Sequence, residues 1–276
     1  MKPYSENRFI RYPGGKQRLL PFIIPCLPRA EDIKGTFVEP FVGGGSVFFA
    51  IAPKKAILSD INPALIELYE GLKSFPDRVW GYFNGFPSTK EGYYEIRDFK
   101  KNGNLAYRAA RILYLNRTCF KGMWRENSSG CFNVGYGGQD RRWVVSPEAL
   151  LSISKVLKKA KLKISDFEQM IKSCVKGDFI FLDPPYKPGA RELSHSHYVY
   201  SKFGYDNYER MAVSLKEAAK KSIKWAITIS NHNDIISLFS EYNIIPFTKG
   251  TGNKPGIMSN ISGEVLICNY LTGGKS

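Results

Sequence analysis

Short apolar runs that alternate with helical patterns dominate this chain. Four runs are typical of buried strands, and they cover residues 36–39, 55–60, 179–183 and 225–230. Two later runs, 244–249 and 265–271, are expected to pair as an antiparallel hairpin. Residues 63–72 and 208–221 carry apolar side chains at helical spacing. This alternation predicts an α/β fold with a doubly wound, mainly parallel sheet.

The middle of the chain, roughly residues 73–165, departs from that alternation. Helical patterns at 107–115 and 147–159 flank a loop from 116 to 142 that is rich in Gly, Asn, Ser and Arg. We predict an inserted, mainly helical domain with a hairpin-like loop, while residues 1–72 and 166–276 form one discontinuous domain. The basic stretch at 155–163 is interpreted as a solvated helical face.

Composition indicates a folded protein with an anionic partner. The 276 residues are 43% hydrophobic and 14% aromatic, enough for one large domain or two smaller ones. The net charge is +15, and the segment from Arg97 to Lys172 holds 16 basic and 6 acidic residues. Such an excess favours nucleic acid, although a basic surface can also serve solubility alone.

Cysteine and histidine usage points away from disulfides and metal. The five cysteines are an odd number without a C-x-x-C pair, which fits a reducing cytoplasm. His195 and His197 lack a neighbouring ligand of suitable spacing, so no metal site is expected. The apolar stretch 19–27 is short and interrupted by two prolines, so we expect a cytoplasmic protein without a membrane partner.

The sequence Asp183-Pro184-Pro185-Tyr186 follows a predicted buried strand. Proline fixes the backbone and lacks an N–H donor, so the carbonyls there remain available as acceptors. A carboxylate, a carbonyl and an aromatic ring together suit a planar amine. The alternative is a plain turn.

A triple glycine follows the first predicted strand, in the sequence TFVEPFVGGGSVF. Glycines let the backbone approach a ligand closely, and the next helix offers free N–H groups. Asp60 ends the next strand, 17 residues after Gly43, and is placed to accept ribose hydroxyls. The spacing is not G-x-G-x-x-G, which disfavours nicotinamide and flavin cofactors. The alternative is a tight turn without a ligand.

A third motif, RYPGGK at residues 11–16, precedes a helical pattern at 17–24. It lacks P-loop spacing. Lys16 could neutralise a carboxylate and Tyr12 could stack on an adenine ring, or the motif could be an ordinary turn. Jointly, the three motifs would meet at the edge where strands of a doubly wound sheet end, so a nucleoside cofactor would lie beside the planar amine.

The chain resembles the Dam-like (D12 class) family of DNA adenine-N6 methyltransferases in four motifs, which occur in the order RYPGGK, EPFVGGGSVF, LSDIN and DPPY. The segment NRTCFKGMWRENSSGCFNVGYG and the later Ser230-Asn231-His232 extend the resemblance over nearly the whole chain. It implies a class I S-adenosylmethionine-dependent methyltransferase fold with an inserted DNA-recognition domain. It also implies a monomeric prokaryotic or phage enzyme that acts on double-stranded DNA, alone or beside a restriction endonuclease of the same site.

The resemblance assigns residues by position. Catalysis falls to Asp183, Pro184 and Tyr186, and cofactor binding to Tyr12, Lys16, Glu39, Phe41, Gly43, Asp60, Asp166, Phe167 and Asp183. DNA binding falls to Arg117, Phe120, Lys121, Met123, Arg125 and Asn127. Arg125 stands where relatives that methylate GATC carry a guanine-reading arginine. Lys121 departs from the family's usual Asn, so another short adenine-containing site stays open.

Other interpretations remain at this point. Arg117, Lys121 and Arg125 could form a generic phosphate-binding face. The chain could bind DNA without catalysis, although its intact motifs argue against this. Methylation of RNA adenine or of a glutamine side chain is a third possibility, but those enzymes usually carry Asn where this chain has Asp183.

Overall fold

The computed structural model of the chain describes residues 9–12, 14–99, 103–127, 130–186, 203–247, 250–251, 258–259 and 263–272. His195 and His197 lie outside these ranges. None of the helices in the described part of the chain combines the length and apolarity that a membrane crossing requires.

A seven-stranded mixed sheet forms the centre of the molecule. Seven strands form this sheet: β1 (Phe37–Glu39), β2 (Ala56–Asp60), β3 (Ala160–Ile164), β4 (Phe179–Leu182), β5 (Lys224–Ser230), β6 (Asn243–Pro246) and β9 (Glu264–Cys268). Two short strands, β7 (Gly250–Thr251) and β8 (Met258–Ser259), lie outside it. The order in the sheet is β3-β2-β1-β4-β5-β9-β6, with β1 to β5 parallel and β9 antiparallel to both β5 and β6. The short β7 and β8 pair separately. The predicted parallel sheet and antiparallel C-terminal pair are confirmed.

Helices cover both faces of the sheet. They are α1 (Leu20–Ile23), α2 (Ser46–Ile51), α3 (Pro63–Ser74), α4 (Pro76–Gly85), α5 (Lys90–Asp98), α6 (Leu105–Thr118), α7 (Pro147–Leu157), α8 (Phe167–Lys172), α9 (Tyr205–Lys220) and α10 (Asn233–Ile236). The helix expected at 17–24 is broken into α1 and flanking 3₁₀ turns, because Pro21 and Pro25 cannot donate to the preceding turn.

Alternation along the buried strands divides the core in two. Phe37, Phe179 and Phe181 face one apolar cluster, whereas Val38 and Ile180 face the other. Both faces are therefore covered, as a parallel sheet requires. This buries the middle of the sheet and leaves the ends of its strands as the natural place for a site.

The helical section between β2 and β3 shares the core on one face of the sheet. Its long helix α6 packs closely against α3, where a Cβ on Gly71 would lie only 2.2 Å from the Ala109 Cβ. Glycine is therefore required at this crossing. The hairpin lies between α6 and α7, so the packing of α6 on α3 gives the hairpin a rigid base.

One expectation about this section is wrong. The stretch 155–163 is not a helical face, because α7 ends at Leu157 and Ala160–Ile164 forms β3 at the edge of the sheet. The sheet thus resumes before residue 166. Lys161 and Lys163 are exposed on this edge strand, where charged side chains discourage pairing with another chain.

Candidate active site

Carboxylates from four strands gather at one edge of the sheet. Because β1, β2 and β4 are parallel, Glu39, Asp60 and Asp183 all lie at or just after their carboxyl ends. The antiparallel β9 begins at the same edge with Glu264, which is in register with Ser230 at the end of β5. A fourth carboxylate therefore joins the three that the sequence predicted.

Asp183 is held in one orientation by its neighbours. Its Oδ1 accepts a hydrogen bond from Thr228 Oγ1 at 2.9 Å and lies 2.9 Å from Lys16 Nζ. Burial raises the pKa of Asp183, the Lys16 ammonium opposes this rise, and the Glu264 charge adds to it. The side chain nevertheless keeps 19% exposure, so one approach to the carboxylate remains open.

The two proline carbonyls beside Asp183 differ in their partners. The Pro185 carbonyl accepts a hydrogen bond from Tyr208 OH at 2.6 Å. The Pro184 carbonyl accepts none from any residue in the described ranges. An acceptor thus stays available next to the carboxylate, as the planar-amine interpretation of the motif expects.

Lys16 is the buried cation of the site, with 4% exposure. Besides Asp183, its ammonium donates to the Gly14 carbonyl at 2.9 Å and lies 3.7 Å from Glu264 Oε2. It also sits 4.2 Å from the centroid of the Tyr186 ring. The turn of the RYPGGK motif therefore places the Lys16 ammonium beside Asp183.

Glu264 is the site residue that the sequence did not reveal. Its Oε2 accepts a hydrogen bond from Tyr186 OH at 3.0 Å, which fixes the ring next to Asp183. Only the register of β9 against β5 brings it here, since it lies 81 residues beyond Asp183 in the chain. An acid opening an antiparallel strand beside parallel strands would have been the signal.

Asp60 and the glycine loop are joined by direct hydrogen bonds. Asp60 Oδ2 accepts from the Gly43 backbone at 3.2 Å, and Oδ1 accepts from the Asn62 backbone at 3.0 Å. Gly43 has a φ of 44°, in the region that favours glycine. Burial is the main cause that raises the pKa of Asp60 to about 6. The loop and the acid therefore form one unit, as their spacing predicted.

Glu39 carries an unsatisfied acceptor. It is 2% exposed, and its Oε2 has no hydrogen-bond partner among the described residues. Burial and the nearby Asp183 charge raise the pKa of Glu39 well above its usual value. Since buried polar atoms are nearly always satisfied, this oxygen suits a ligand that brings a cationic or N–H donor. The amino group of an amino-acid-like cofactor fits this requirement.

Tyr12 connects the glycine loop with the hairpin. A Cβ on Gly43 would lie 3.1 Å from the Tyr12 ring, and the Trp124 ring centroid is 5.9 Å from that of Tyr12. Trp124 is 4% exposed, and its Nε1 has no partner within the described chain. A residue predicted for the cofactor thus also contacts the hairpin.

Phe41 and Phe167 lie together beside the glycine loop. Their rings stack with centroids 5.4 Å apart. Asp166, expected beside the cofactor's adenine, accepts a hydrogen bond from the Glu168 backbone N–H at the start of α8 and lies 3.1 Å from an Arg210 nitrogen. Asp166 thus begins the helix that carries Phe167, and its contact with the adenine stays a prediction.

The loop predicted to be hairpin-like pairs at two points. Cys119 forms an isolated antiparallel β-bridge with Tyr136, and Glu126 forms one with Phe132. Phe120 projects from its base with 49% exposure, while Met123 is half-buried against the core. The pairing presents an exposed ring and leaves the methionine partly covered.

The basic residues of the hairpin differ in their surroundings. Arg125 is exposed, and its Nε donates to Asn133 Oδ1 at 2.8 Å. Lys121 is also exposed and has a φ of 53°, unusual for a residue other than glycine. Asn127 Oδ1 accepts from the Cys131 backbone, which closes the turn.

Arg117 does not fit its predicted role as a DNA contact. Its side chain is 2% exposed, and its guanidinium donates to the Arg141 carbonyl through both Nε and Nη2. The arginine therefore ties the end of α6 to the chain after the hairpin. Its charge alone could not distinguish a buried arginine near the end of this helix from one on a basic surface.

Comparison with known proteins identifies the family. The model of the D12 class N6 adenine-specific DNA methyltransferases matches residues 12–250. The chain is 33% identical to the "Type II methyltransferase M1.LlaDCHI" of Lactococcus lactis subsp. cremoris, over 95% of each chain.

Two further relatives agree with this match. "Type II methyltransferase M.MjaIII" of Methanocaldococcus jannaschii is 32% identical over 95% of this chain and 98% of its own length. A "DNA adenine methylase" of Vibrio cholerae is 30% identical over 83% of this chain and 82% of its own. The glycine loop, Asp60 and the Asp183–Tyr186 segment all fall within the matched residues. The chain therefore belongs to the D12 class of N6 adenine-specific DNA methyltransferases.

Proposed function

We propose that this protein transfers a methyl group from S-adenosylmethionine to N6 of an adenine flipped out of double-stranded DNA, with GATC as the leading target. The observation that carries the proposal is the arrangement around Asp183. A fixed carboxylate, an unused Pro184 carbonyl and the Tyr186 ring lie together at the end of β4. These groups match the two N–H bonds and the flat face of adenine.

The chemistry requires orientation more than activation. Adenine N6 is a weak nucleophile because its lone pair is delocalised into the ring. Asp183 and the Pro184 carbonyl accept hydrogen bonds from the two N6–H groups and direct the lone pair toward the methyl donor, while Tyr186 holds the ring. Positioning and electrostatics then supply the acceleration without a covalent enzyme intermediate. When bound, S-adenosylmethionine supplies an electrophilic methyl group on a sulfonium.

The chain offers matching groups for each part of the cofactor. Glu39, with its unsatisfied oxygen, accepts from the amino group, and Lys16 neutralises the carboxylate. Asp60 accepts from the ribose hydroxyls next to the Gly43 backbone. Tyr12 and the Phe41–Phe167 pair border the glycine loop and supply flat apolar surface. The proposal assigns them to the adenine end of the cofactor.

Binding of DNA falls to the hairpin and the basic surface around it. An adenine inside a duplex is out of reach, so it must leave the stack at a cost of a few kcal/mol. Phe120 is exposed enough to fill the gap in the stack, and Met123 borders it. Arg125 reads a guanine edge, and exposed cations such as Lys121 bind phosphates, which offsets the cost and makes binding salt-dependent.

The target sequence has an alternative. Lys121 stands where the family often carries Asn, so another short adenine-containing site is the second candidate. Two relatives bear the name Type II methyltransferase, which supports a role beside a restriction endonuclease of the same site. A DNA-binding protein without turnover is disfavoured because Lys16, Asp183 and Tyr186 are all in place.

One experiment tests both activity and target. Unmethylated genomic DNA is incubated with the protein and S-adenosylmethionine, and modification-sensitive sequencing then reports base, position and context. We expect N6-methyladenine in one short sequence, with GATC first. Absence of methyl transfer to any DNA would reject the enzymatic proposal, and methylation in another context would reject GATC alone.

A further inference from the structure

The ammonium of Lys16 lies where the proposed target amine would bind. It is 2.9 Å from Asp183 Oδ1 and 4.2 Å from the centroid of the Tyr186 ring. These are the carboxylate and the ring face that an adenine needs for its N6 protons and its stacking. A base cannot stack on that face of the ring while the cation covers it, so the two occupants compete.

A second carboxylate is available to the same cation. Glu264 Oε2 lies 3.7 Å from Lys16 Nζ, longer than the Asp183 contact but within ion-pair range. A shift of about 1 Å by a flexible lysine chain would bring them into hydrogen-bond distance. Glu264 also holds Tyr186 by its hydroxyl, so the ring can keep its place when the ammonium moves.

Burial makes such a move costly without a partner. Lys16 is 4% exposed, and a buried ammonium that lost Asp183 would need another anion. Two anions then suffice to hold it away from Asp183: the Glu264 carboxylate and the carboxylate of the cofactor. The first is built into the fold, and the second arrives only with the cofactor.

We propose that Lys16 occupies the adenine site in the cofactor-free protein, and that cofactor binding draws its ammonium toward Glu264 and the cofactor carboxylate. Adenine insertion then depends on prior cofactor binding. Glu264 is a positioning residue in this scheme, since it acts through Lys16 and Tyr186. The inference rests on the proposed function, because it concerns the order in which that reaction's two ligands bind.

The test measures base insertion, not methyl transfer. A duplex carries the fluorescent base 2-aminopurine in place of the target adenine, and its emission rises when the base leaves the stack. Emission is recorded with and without S-adenosylhomocysteine, which has the cofactor's carboxylate but no methyl group to transfer. Fluorescence anisotropy of an end-labelled duplex confirms that equal amounts of DNA are bound.

For the wild-type protein, emission should rise only after S-adenosylhomocysteine is added, with inserted base below about 10% before that. Lys16→Met should give the high emission without any cofactor. Glu264→Gln keeps an acceptor for Tyr186 but removes the charge, so its emission with S-adenosylhomocysteine should fall several-fold below wild type. Lys220→Met, at an exposed lysine paired with Glu217, serves as control and should match wild type.

High emission from the wild-type protein without S-adenosylhomocysteine would overturn the inference, and this measurement requires no variant. Low cofactor-free emission from a folded, DNA-bound Lys16→Met protein would overturn it too. Labelled methyl transfer by the wild-type protein is measured in parallel. A failure there rejects the proposed function, whereas normal transfer with cofactor-independent emission rejects only the placeholder role of Lys16.

Discussion

The side-chain amide of Asn116 pairs with both backbone groups of Arg11. Asn116 Oδ1 accepts from the Arg11 nitrogen at 2.7 Å, and Nδ2 donates to the Arg11 carbonyl at 2.6 Å. Asn116 is fully buried near the end of α6, just before the hairpin, and Arg11 precedes the Tyr12 that touches the glycine loop. One amide thus fastens the N-terminal part of the site to the end of α6, just before the hairpin.

Replacing this amide should lower the free energy of unfolding. Asn116→Leu keeps the branched shape of the side chain but leaves two backbone groups of Arg11 without these partners, at about 1–3 kcal/mol for each group that stays buried. Chemical denaturation should show the loss as a lower midpoint. Asn84→Leu, at an exposed position on α4, is the matched control. An unchanged midpoint for Asn116→Leu would mean that the clamp contributes nothing.

The carboxylate of Asp183 should be needed for transfer and not for DNA binding. Asp183→Ala removes the acceptor that orients N6, and loss of a single preorganised group costs about a hundredfold to a thousandfold in rate, or more. Transfer of labelled methyl and DNA affinity are measured side by side. Asp32→Ala, at an exposed acid, should keep full activity. Appreciable transfer by the Asp183 variant would refute its central role.

Cofactor affinity should depend on the charge of Asp60. Burial raises its pKa to about 6, so the carboxyl is increasingly protonated below that pH and accepts ribose hydroxyls less well. Affinity for S-adenosylhomocysteine should therefore fall as pH drops from 7 to 5, by at most about tenfold per unit. Calorimetry across this range measures it.

The Asp60→Asn variant separates this titration from that of Glu39, whose pKa is also raised. It should bind more weakly at pH 7 and lose much of the slope between pH 7 and 5. The titration of Asp60 affects folding stability in the opposite direction to cofactor affinity. Since the pKa of folded Asp60 lies above the unfolded value near 3.8, its contribution to stability decreases as pH rises from about 4 to 6. An unchanged slope in Asp60→Asn would assign the dependence to another group.

Strand patterns predicted the centre of the fold because β1, β2, β4 and β5 are buried on both faces and read as apolar runs. The edge strand β3 was missed, since its sequence AKLKI carries two lysines that face solvent and resembles a basic helix end. Helices α4 and α5 were missed because each buries only two residues, Val79 and Phe83 in α4 and Gly92 and Tyr93 in α5, which leaves a weak periodic signal.

Only the parts of the site that lie within sequence motifs were predicted. Asp60 and the glycine loop sit on successive elements, so their spacing indicated a shared sheet edge, where the structure adds a direct hydrogen bond between them. Glu264 joins through strand register, and Lys16 pairs with Asp183 across 167 residues of chain, so only the folded sheet reveals these contacts. Arg117 was misassigned because a match by position along the chain does not report burial.

Replacing Lys121 with a residue that adopts the left-handed backbone conformation more readily should stabilise the protein. Its φ of 53° lies in the left-handed region, which costs an ordinary residue about 1–2 kcal/mol and asparagine less. Lys121→Asn should therefore raise the thermal midpoint, whereas Lys121→Ala should not. Both variants lose a cation, so both should weaken DNA binding and flatten its salt dependence. Equal midpoints for the two variants would contradict the backbone argument.

Arg125 should determine sequence choice more than affinity. It is exposed on the hairpin, and Asn133 holds its guanidinium through Nε and Nη2, so the group is presented in a fixed orientation. A bidentate contact with guanine discriminates by about 1–3 kcal/mol, so Arg125→Ala should relax the preference by about tenfold or more while nonspecific binding changes little.

Two further variants define the contact made by Arg125. Arg125→Lys keeps the charge but cannot form the bidentate pair, so it should also lose discrimination. Arg117→Ala should act differently, because its buried guanidinium ties α6 to Arg141: stability should fall while the sequence preference of the folded fraction stays intact. Methylation-sensitive sequencing of a randomised DNA pool measures preference for all three. An unchanged preference in Arg125→Ala would reject it as a base reader, since phosphate contacts alone carry no sequence information.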